Sequence, residues 1–123
     1  MQSSFQVTDE ILIAVAYGEI DHHTAGKLRD EIDEAMAAFH CRHLILDLKK
    51  VSFMDSSGIG VVFGRYRKIN KQGGTLYLTG CTDYVEKILH MAGVFSVIEK
   101  KNSVEDAVWA LNGPGQMQLE VSQ

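Results

Sequence analysis

Short β-like runs alternate with single amphipathic helices along this chain, and this alternation limits the possible folds more than any other sequence feature. The chain opens with two such runs, residues 5–8 and 11–17, joined at Asp9-Glu10 by a tight turn. Helices and strands then follow singly, in the order β-β-α-β-α-β-α-β-α. Strands joined by one helix run parallel, because each crossover is a right-handed βαβ unit. The order predicts an α/β fold with a mixed, mostly parallel sheet of about five strands packed with about four helices.

The helices are predicted from apolar residues at helical spacing. Thr24 is expected to cap the first helix and Ser103 the last, and Gly93 to end the third. The apolar stripe of the first helix comprises Leu28, Ile32, Ala35, Met36 and Phe39. The stripe of the second comprises Ile59, Val62, Phe63, Tyr66 and Ile69. The remaining strands are predicted at residues 43–48, 75–80 and 95–100.

A chain of 123 residues is long enough to form one domain with a core of its own. The alternating pattern holds through residue 111, so residues 1–111 are predicted to be that domain. Residues 112–123 contain Gly-Pro-Gly and no strong periodicity, and we expect them to form a mobile tail. Cys41 and Cys81 lie far apart, with no spacing typical of a zinc site, and are expected to be buried, reduced thiols.

Charge and hydropathy argue against two classes of protein. The net charge is −4, with acids and bases interspersed, whereas nucleic-acid binding calls for a basic stripe. No apolar run approaches the roughly 18 residues of a membrane span, and the first ten residues lack the features of a signal peptide. We therefore expect a cytoplasmic protein with no membrane and no nucleic-acid partner.

The four residues Asp55-Ser56-Ser57-Gly58 stand where an apolar run stops and a helical pattern begins, a place where α/β proteins concentrate function. Either serine would be a suitable helix cap. A nucleophilic serine is disfavoured, because Met54 occupies the position that glycine takes in the G-x-S-x-G elbow. A phosphate-binding loop of the G-x-x-x-x-G-K-[ST] type is missing as well. A phosphoserine is compatible, since a helix N-terminus favours negative charge.

The helix that follows this turn has a second face, which the apolar stripe leaves free. Gly58, Val61, Arg65 and Lys68 lie on it at helical spacing, and its first turn is almost bare of side chain. We interpret this face as a docking surface. Gly60 and Gly64 would serve either close packing of the helix on the sheet or close approach of a partner.

Two further motifs are given structural interpretations. The adjacent side chains of His22 and His23 are expected to diverge, and no acid or cysteine is placed to complete a metal site, so we expect a structural or surface role for them. Trp109 lies beside Val108 and Leu111 on the last helix, and is expected in the core or at a helix contact.

Two motifs, together with the order of elements, resemble the anti-sigma factor antagonists of the STAS domain family, and the sporulation antagonists most of all. The motifs are "GEIDHH", from Gly18 to His23, and "FMDSSGIG", from Phe53 to Gly60. The resemblance runs from about residue 5 to residue 111. Ile59 stands where leucine is common in the family, and the tail extends past its usual end.

The resemblance implies a switch in transcription regulation, with no enzymatic activity and no cofactor or metal. In this family the first serine of the turn, which aligns with Ser56, is phosphorylated by the anti-sigma factor, itself an ATP-dependent serine kinase. The unphosphorylated antagonist binds that kinase and frees its sigma factor, and a serine phosphatase reverses the modification. The residues expected to contact the partner are Asp21, Asp55, Ser57, Gly58, Val61 and Arg65.

Some roles stay open at this point. Asp21 would orient the Ser56 hydroxyl or contact the partner, or else cap the helix near Thr24. Ser57 would cap the second helix while Ser56 is modified. An adaptor or scaffold of the same fold, acting in another stress-signalling partner switch, is the alternative function.

Overall fold

A computed structural model describes the backbone of residues 2–121 and the side chains of residues 2–113. Its elements in chain order are β1 Gln2–Thr8, β2 Ile11–Ile20, α1 Ala25–Ala38, β3 His43–Met54, α2 Ser56–Lys71, β4 Leu76–Thr79, α3 Asp83–Met91, a 3-10 turn Val94–Ser96, β5 Glu99–Lys101 and α4 Val104–Val121. The sheet order is β1-β2-β3-β4-β5, with β1 antiparallel to β2 and every other pair parallel. The predicted α/β fold, with its five-stranded mixed sheet and four helices, is confirmed.

The two faces of the sheet are covered unequally. One face packs against α1, α2 and α3 around the larger core, which includes Leu12, Leu28, Leu46, Val62 and Leu89. The other face packs against α4 around a small cluster of Ile11, Ile13, Ile45 and Ala107. The central strand β3 is buried on both faces along Leu44–Leu48, as its continuous apolar run predicts.

Strand β3 is longer than predicted, because it continues past Leu48 to Met54. Its pairing with β2 shifts register twice, between Val15 and Tyr17 and between Gly18 and Glu19. These irregularities let two exposed lysines, at positions 49 and 50, interrupt the buried run without ending the strand. The extension carries β3 level with the end of β2, where the two following turns meet.

Several local predictions are confirmed. Ser103 accepts a hydrogen bond from the N–H of Asp106 at the start of α4, as expected of a cap, and Thr82 caps α3 in the same way by accepting one from the N–H of Val85. Gly93 follows α3 with a left-handed φ of 81°, the conformation that glycine adopts at helix ends.

Other predictions are wrong. Phe39 is 59% exposed, because it lies just past the end of α1 and the chain turns away there at His40. Trp109 is 47% exposed on the outer side of α4 and not in the core. The last strand is only Glu99–Lys101, since Val94–Ser96 forms a 3-10 turn.

Cys41 is buried as expected, but Cys81 is only partly buried. Burial raises the pKa of the Cys81 thiol to about 11.

The end of the chain differs from a simple helix and tail. α4 extends to Val121, with a break at Gly113, where φ is 77° and ψ is 167°. The mobility of residues 112–123 stays a prediction. Within the part of the chain that is described, no helix combines the length and the apolar character needed to cross a bilayer.

Candidate partner-binding site at the ends of β2 and β3

The candidate site lies where the parallel strands β2 and β3 end side by side. Ile20 pairs with Met54 in the last position of the ladder, and the N–H of Asp55 donates to the carbonyl of Ile20 at 3.2 Å. The turn that begins at Asp21 and the turn that begins at Asp55 therefore emerge together at the carboxyl ends of the two strands, the edge where open α/β sheets place their binding sites.

Asp55 is the N-cap of α2. Its backbone is extended, and its Oδ1 accepts a hydrogen bond of 2.8 Å from the N–H of Ser57. The prediction that Ser56 or Ser57 caps this helix is therefore wrong. The bond from Asp55 N–H to Ile20 holds the aspartate in place as the cap, so both serines fall inside the first turn.

Ser56 is the first residue of α2 and is exposed, whereas Ser57 is only partly so. Among the described side chains, none forms a hydrogen bond with the Ser56 hydroxyl. That hydroxyl lies at the positive end of the helix dipole, where added negative charge is favourable. Of the two serines, Ser56 is thus the accessible one.

Asp21 stabilises its own turn. Its Oδ1 accepts hydrogen bonds from the N–H groups of His23, at 2.9 Å, and Thr24, at 3.2 Å. The bond from the His23 N–H, reinforced by those from Thr24, holds the pKa of Asp21 below its ordinary value. These contacts support the capping role left open for Asp21, while its contact with a partner stays a prediction.

Thr24 stands at the N-cap position of α1, but its hydroxyl makes no capping bond to that helix. It accepts instead from the N–H of Asp21, at 2.9 Å, and donates to the carbonyl of Glu19, at 2.8 Å. The predicted cap is therefore wrong in its chemistry, because the hydroxyl closes the turn after β2. His22 and His23 are both exposed, but the expectation that their side chains diverge is wrong, because the ring centroids lie 3.9 Å apart.

The face of α2 that carries Gly58, Val61 and Arg65 is not an open surface, which corrects the predicted docking face. A Cβ at Gly58 would lie 2.5 Å from Met54 Cγ and 3.1 Å from the carbonyl oxygen of Ile20. Val61 is 6% exposed. The Arg65 side chain is 11% exposed and pairs with Asp33 of α1, at 3.0 Å. The physical reason is that α1 packs along this side of α2.

The open face of α2 lies elsewhere, in line with Ser56. A Cβ added at Gly60 or at Gly64 would meet no atom within 4 Å, so neither glycine is needed for packing against the sheet. Ser56, Gly60, Gly64 and Arg67 fall within one narrow sector at 100° per residue. The spacing of Ser56 and the two glycines, four residues apart, is the sequence signal that identifies this face.

An aromatic pair flanks the site on the side of α3. The rings of Phe53, at the end of β3, and Tyr84, in the first turn of α3, stack with centroids 6.0 Å apart. Tyr84 is 48% exposed. The pair therefore adds apolar surface next to the turn that carries Ser56.

Comparisons with known proteins find a matching domain family and relatives that are named anti-sigma factor antagonists. The model of the STAS domain matches residues 2–107. The chain is 42% identical over 88 residues to the anti-sigma F factor antagonist of Paenibacillus polymyxa, covering 72% of this chain and 75% of that protein. It is 37% identical over 98 residues to the anti-sigma-B factor antagonist of Listeria monocytogenes, covering 77% and 82%.

Solved structures agree with the fold. The unphosphorylated form of the anti-sigma factor antagonist SpoIIAA superposes with a TM-score of 0.79 at 26% identity, over 91% of this chain and 97% of the other. The phosphorylated form of the Bacillus cell fate determinant SpoIIAA superposes with a TM-score of 0.69 at 28% identity, over 87% and 96%. A protein of this fold has therefore been seen both with and without phosphate.

Proposed function

Because this chain belongs to the STAS domain family, we propose that it is an anti-sigma factor antagonist that works by binding and is switched by phosphate on Ser56. The unphosphorylated form binds an anti-sigma factor that is also a serine kinase, and so releases the sigma factor. Phosphorylation of Ser56 ends that binding, and a serine phosphatase restores it. The chain has no catalytic role in this cycle, which takes place in the cytoplasm with ATP and the transcription machinery.

The observation that carries the proposal is that Asp55, and not Ser56, caps α2, while the Ser56 hydroxyl is exposed. Asp55 satisfies the first turn of α2, so Ser56 is free to enter a kinase active site without loss of a structural contact. Sequence similarity to named antagonists supplies the class of partner.

A phosphate on Ser56 would change the surface and leave the fold intact. It would add about −1.5 to −2 charges at a helix N-terminus, which tolerates them. It would also stand beside the carboxylate of Asp55 and above the open face at Gly60. A partner that approaches this face would meet bulk, negative charge and a desolvation cost.

The contact surface that the geometry favours is the open face of α2 together with the adjoining turns. Ser57 and Asp55 lie at its start, and Asp21 lies on the neighbouring turn. This surface is held in position by residues that α1 and the strand ends cover, namely Gly58, Val61 and Arg65.

Two partner switches are compatible with the relatives, one named for sigma F and one for sigma B. The higher identity to the sigma F antagonist favours sporulation, and a stress-response switch is the second candidate. Competition between purified anti-sigma factors of the two kinds for a limiting amount of this chain separates them.

The proposal is tested by phosphosite mapping. The purified chain is incubated with ATP and the anti-sigma kinase of its own organism, and the modified residue is identified by mass spectrometry. Ser56→Ala and Ser57→Ala form a matched pair. We expect stoichiometric phosphate in wild type and Ser57→Ala, none in Ser56→Ala, and loss of kinase binding after modification. Phosphate on Ser57, or unaltered binding by the phosphorylated chain, would refute the switch.

A further inference from the structure

A depression on the C-terminal half of α2 gathers positive charge. It has a volume of about 520 Å³ and is lined by Gly64, Arg65, Arg67, Lys68, Lys71 and Gln72. We call these six residues the basic groove. Four of them are cations and none is an acid, and α2 as a whole contains no Asp or Glu. This concentration is unusual in a chain whose net charge is −4.

Among the side chains of residues 2–113, one carboxylate offsets these cations. Asp33 of α1 pairs with Arg65, at 3.0 Å, and more loosely with Lys68, at 3.6 Å. Arg67 and Lys71 are exposed and form no ion pair with any residue from 2 to 113. The groove therefore keeps an excess of three positive charges, of which two are free to meet a partner.

The helix dipole accounts for part of this pattern only. Cations in the last turn of a helix are stabilising, and Lys68 and Lys71 are in that turn. Arg65 and Arg67 lie further back, where the dipole effect has fallen off. The pairing of Arg65 with Asp33 accounts for that arginine, whereas neither the dipole nor an ion pair with a described residue accounts for Arg67.

The groove is continuous with the open face of α2. Arg67 and Lys71 fall in the same sector of the helix as Ser56, and Gly60 and Gly64 lie between them with nothing above. At 1.5 Å per residue, Ser56 and Lys71 are about 22 Å apart along the axis. A partner seated over Ser56 would therefore reach the groove without leaving the surface of one helix.

We propose that the basic groove binds an acidic segment of the same anti-sigma kinase that phosphorylates Ser56, an inference that rests on the proposed function. The groove supplies a second, phosphate-independent anchor that raises the association rate and orients the kinase along α2. Charge complementarity selects a protein segment rich in Asp and Glu. A nucleic acid is the poorer occupant, because four cations on an otherwise acidic chain do not form the stripe that a phosphate backbone needs.

Charge reversal tests the groove. The double variant Arg67→Glu/Lys71→Glu is compared with Lys50→Glu/Lys87→Glu, which makes the same change of net charge at exposed lysines outside the groove. Association of the kinase is followed by surface plasmon resonance at 50 and 300 mM NaCl. We expect the groove variant to associate about tenfold more slowly at low salt, with little salt dependence, and the control to stay close to wild type. Equal slowing in both variants would overturn the inference, since it would reflect net charge alone.

Two further measurements keep folding and function apart. Thermal melting first shows whether Arg67→Gln/Lys71→Gln is folded. We expect the kinase to associate with this neutral variant at a rate between those for wild type and for the charge-reversed variant. If wild type binds no anti-sigma kinase, the proposed function fails, and a deca-glutamate peptide then tests the groove by NMR. Peptide-induced shifts of the amide signals of Gly64, Lys68 and Gln72 that vanish in the charge-reversed variant would support an acidic ligand in the groove. Absence of those shifts, or binding of a single-stranded RNA oligonucleotide in preference to the peptide, would overturn it.

Discussion

The carboxylate of Asp55 accepts a hydrogen bond of 2.8 Å from the backbone N–H of Ser57, and the bond passes over Ser56 without using its side chain. The residue that caps α2 and the residue proposed to carry the signal are therefore neighbours with separate tasks. The other contacts around the turn lead to distinct expectations about stability.

Removing the cap is expected to cost more than removing either hydroxyl. Asp55→Ala leaves the first turn of α2 without its acceptor and should lower the free energy of unfolding by about 0.5–2 kcal/mol. Ser56→Ala and Ser57→Ala should change it by less than about 0.5 kcal/mol. Urea denaturation followed by circular dichroism measures all three. A cost for Ser56→Ala equal to that of Asp55→Ala would mean that the serine has a structural role.

Two glycines of α2 are expected to respond to alanine in opposite directions. At Gly58 the new methyl group would overlap Met54 and press on the backbone of Ile20, so the variant should lose about 1–3 kcal/mol. At Gly60 the methyl group enters open space, and the variant should gain about 0.5–1 kcal/mol from higher helix propensity. Melting temperatures rank the two variants against wild type, and Gly64→Ala repeats the open-space case. Destabilisation by Gly60→Ala would contradict the open face.

Asp21 should make stability depend on acid pH. Its pKa is lowered in the folded state by the hydrogen bond from the His23 N–H, so the unfolded chain binds its proton at higher pH than the folded chain does. The stabilisation is fully present above about pH 4 and is lost as the pH falls through the folded-state value. Asp21→Asn should lack this component. Unfolding free energies from pH 6 to pH 2 test it, and parallel curves for the two proteins would disprove it.

The ion pair between Arg65 and Asp33 is expected to couple α1 to α2. Both side chains are largely covered, so breaking the pair leaves a charge poorly solvated. Asp33→Ala should therefore lower stability by about 1–3 kcal/mol. In a double-mutant cycle, the combined variant with Arg65→Ala should lose less than the sum of the two single losses. Additive losses would show that the pair contributes nothing.

Much of the fold follows from the order of elements, because strands joined by single helices commonly form parallel, right-handed βαβ units. The site is harder to predict from sequence. Three residues in a row, Asp55, Ser56 and Ser57, are all good caps, and the choice depends on the bond from Asp55 N–H to Ile20, a contact between distant parts of the chain. Local sequence carries no information about that contact.

The packing of α2 shows the same limit. Helical periodicity finds the apolar stripe, yet a helix held between a sheet and a second helix is covered on two sides. Val61 and Gly58 lie outside the stripe and are still buried, because α1 and the strand ends cover them. Exposure of Trp109 is a tertiary property of the same kind.

Gly58 packs closely against Met54 and Ile20, and this packing has a kinetic consequence. The start of α2 is fixed to the ends of two strands only two residues from Ser56. If Ser56 carries the phosphate as proposed, we expect its addition or removal to need no slow rearrangement of the chain. The response time of such a switch would be set by kinase and phosphatase turnover, and each cycle would return the protein to the same starting state.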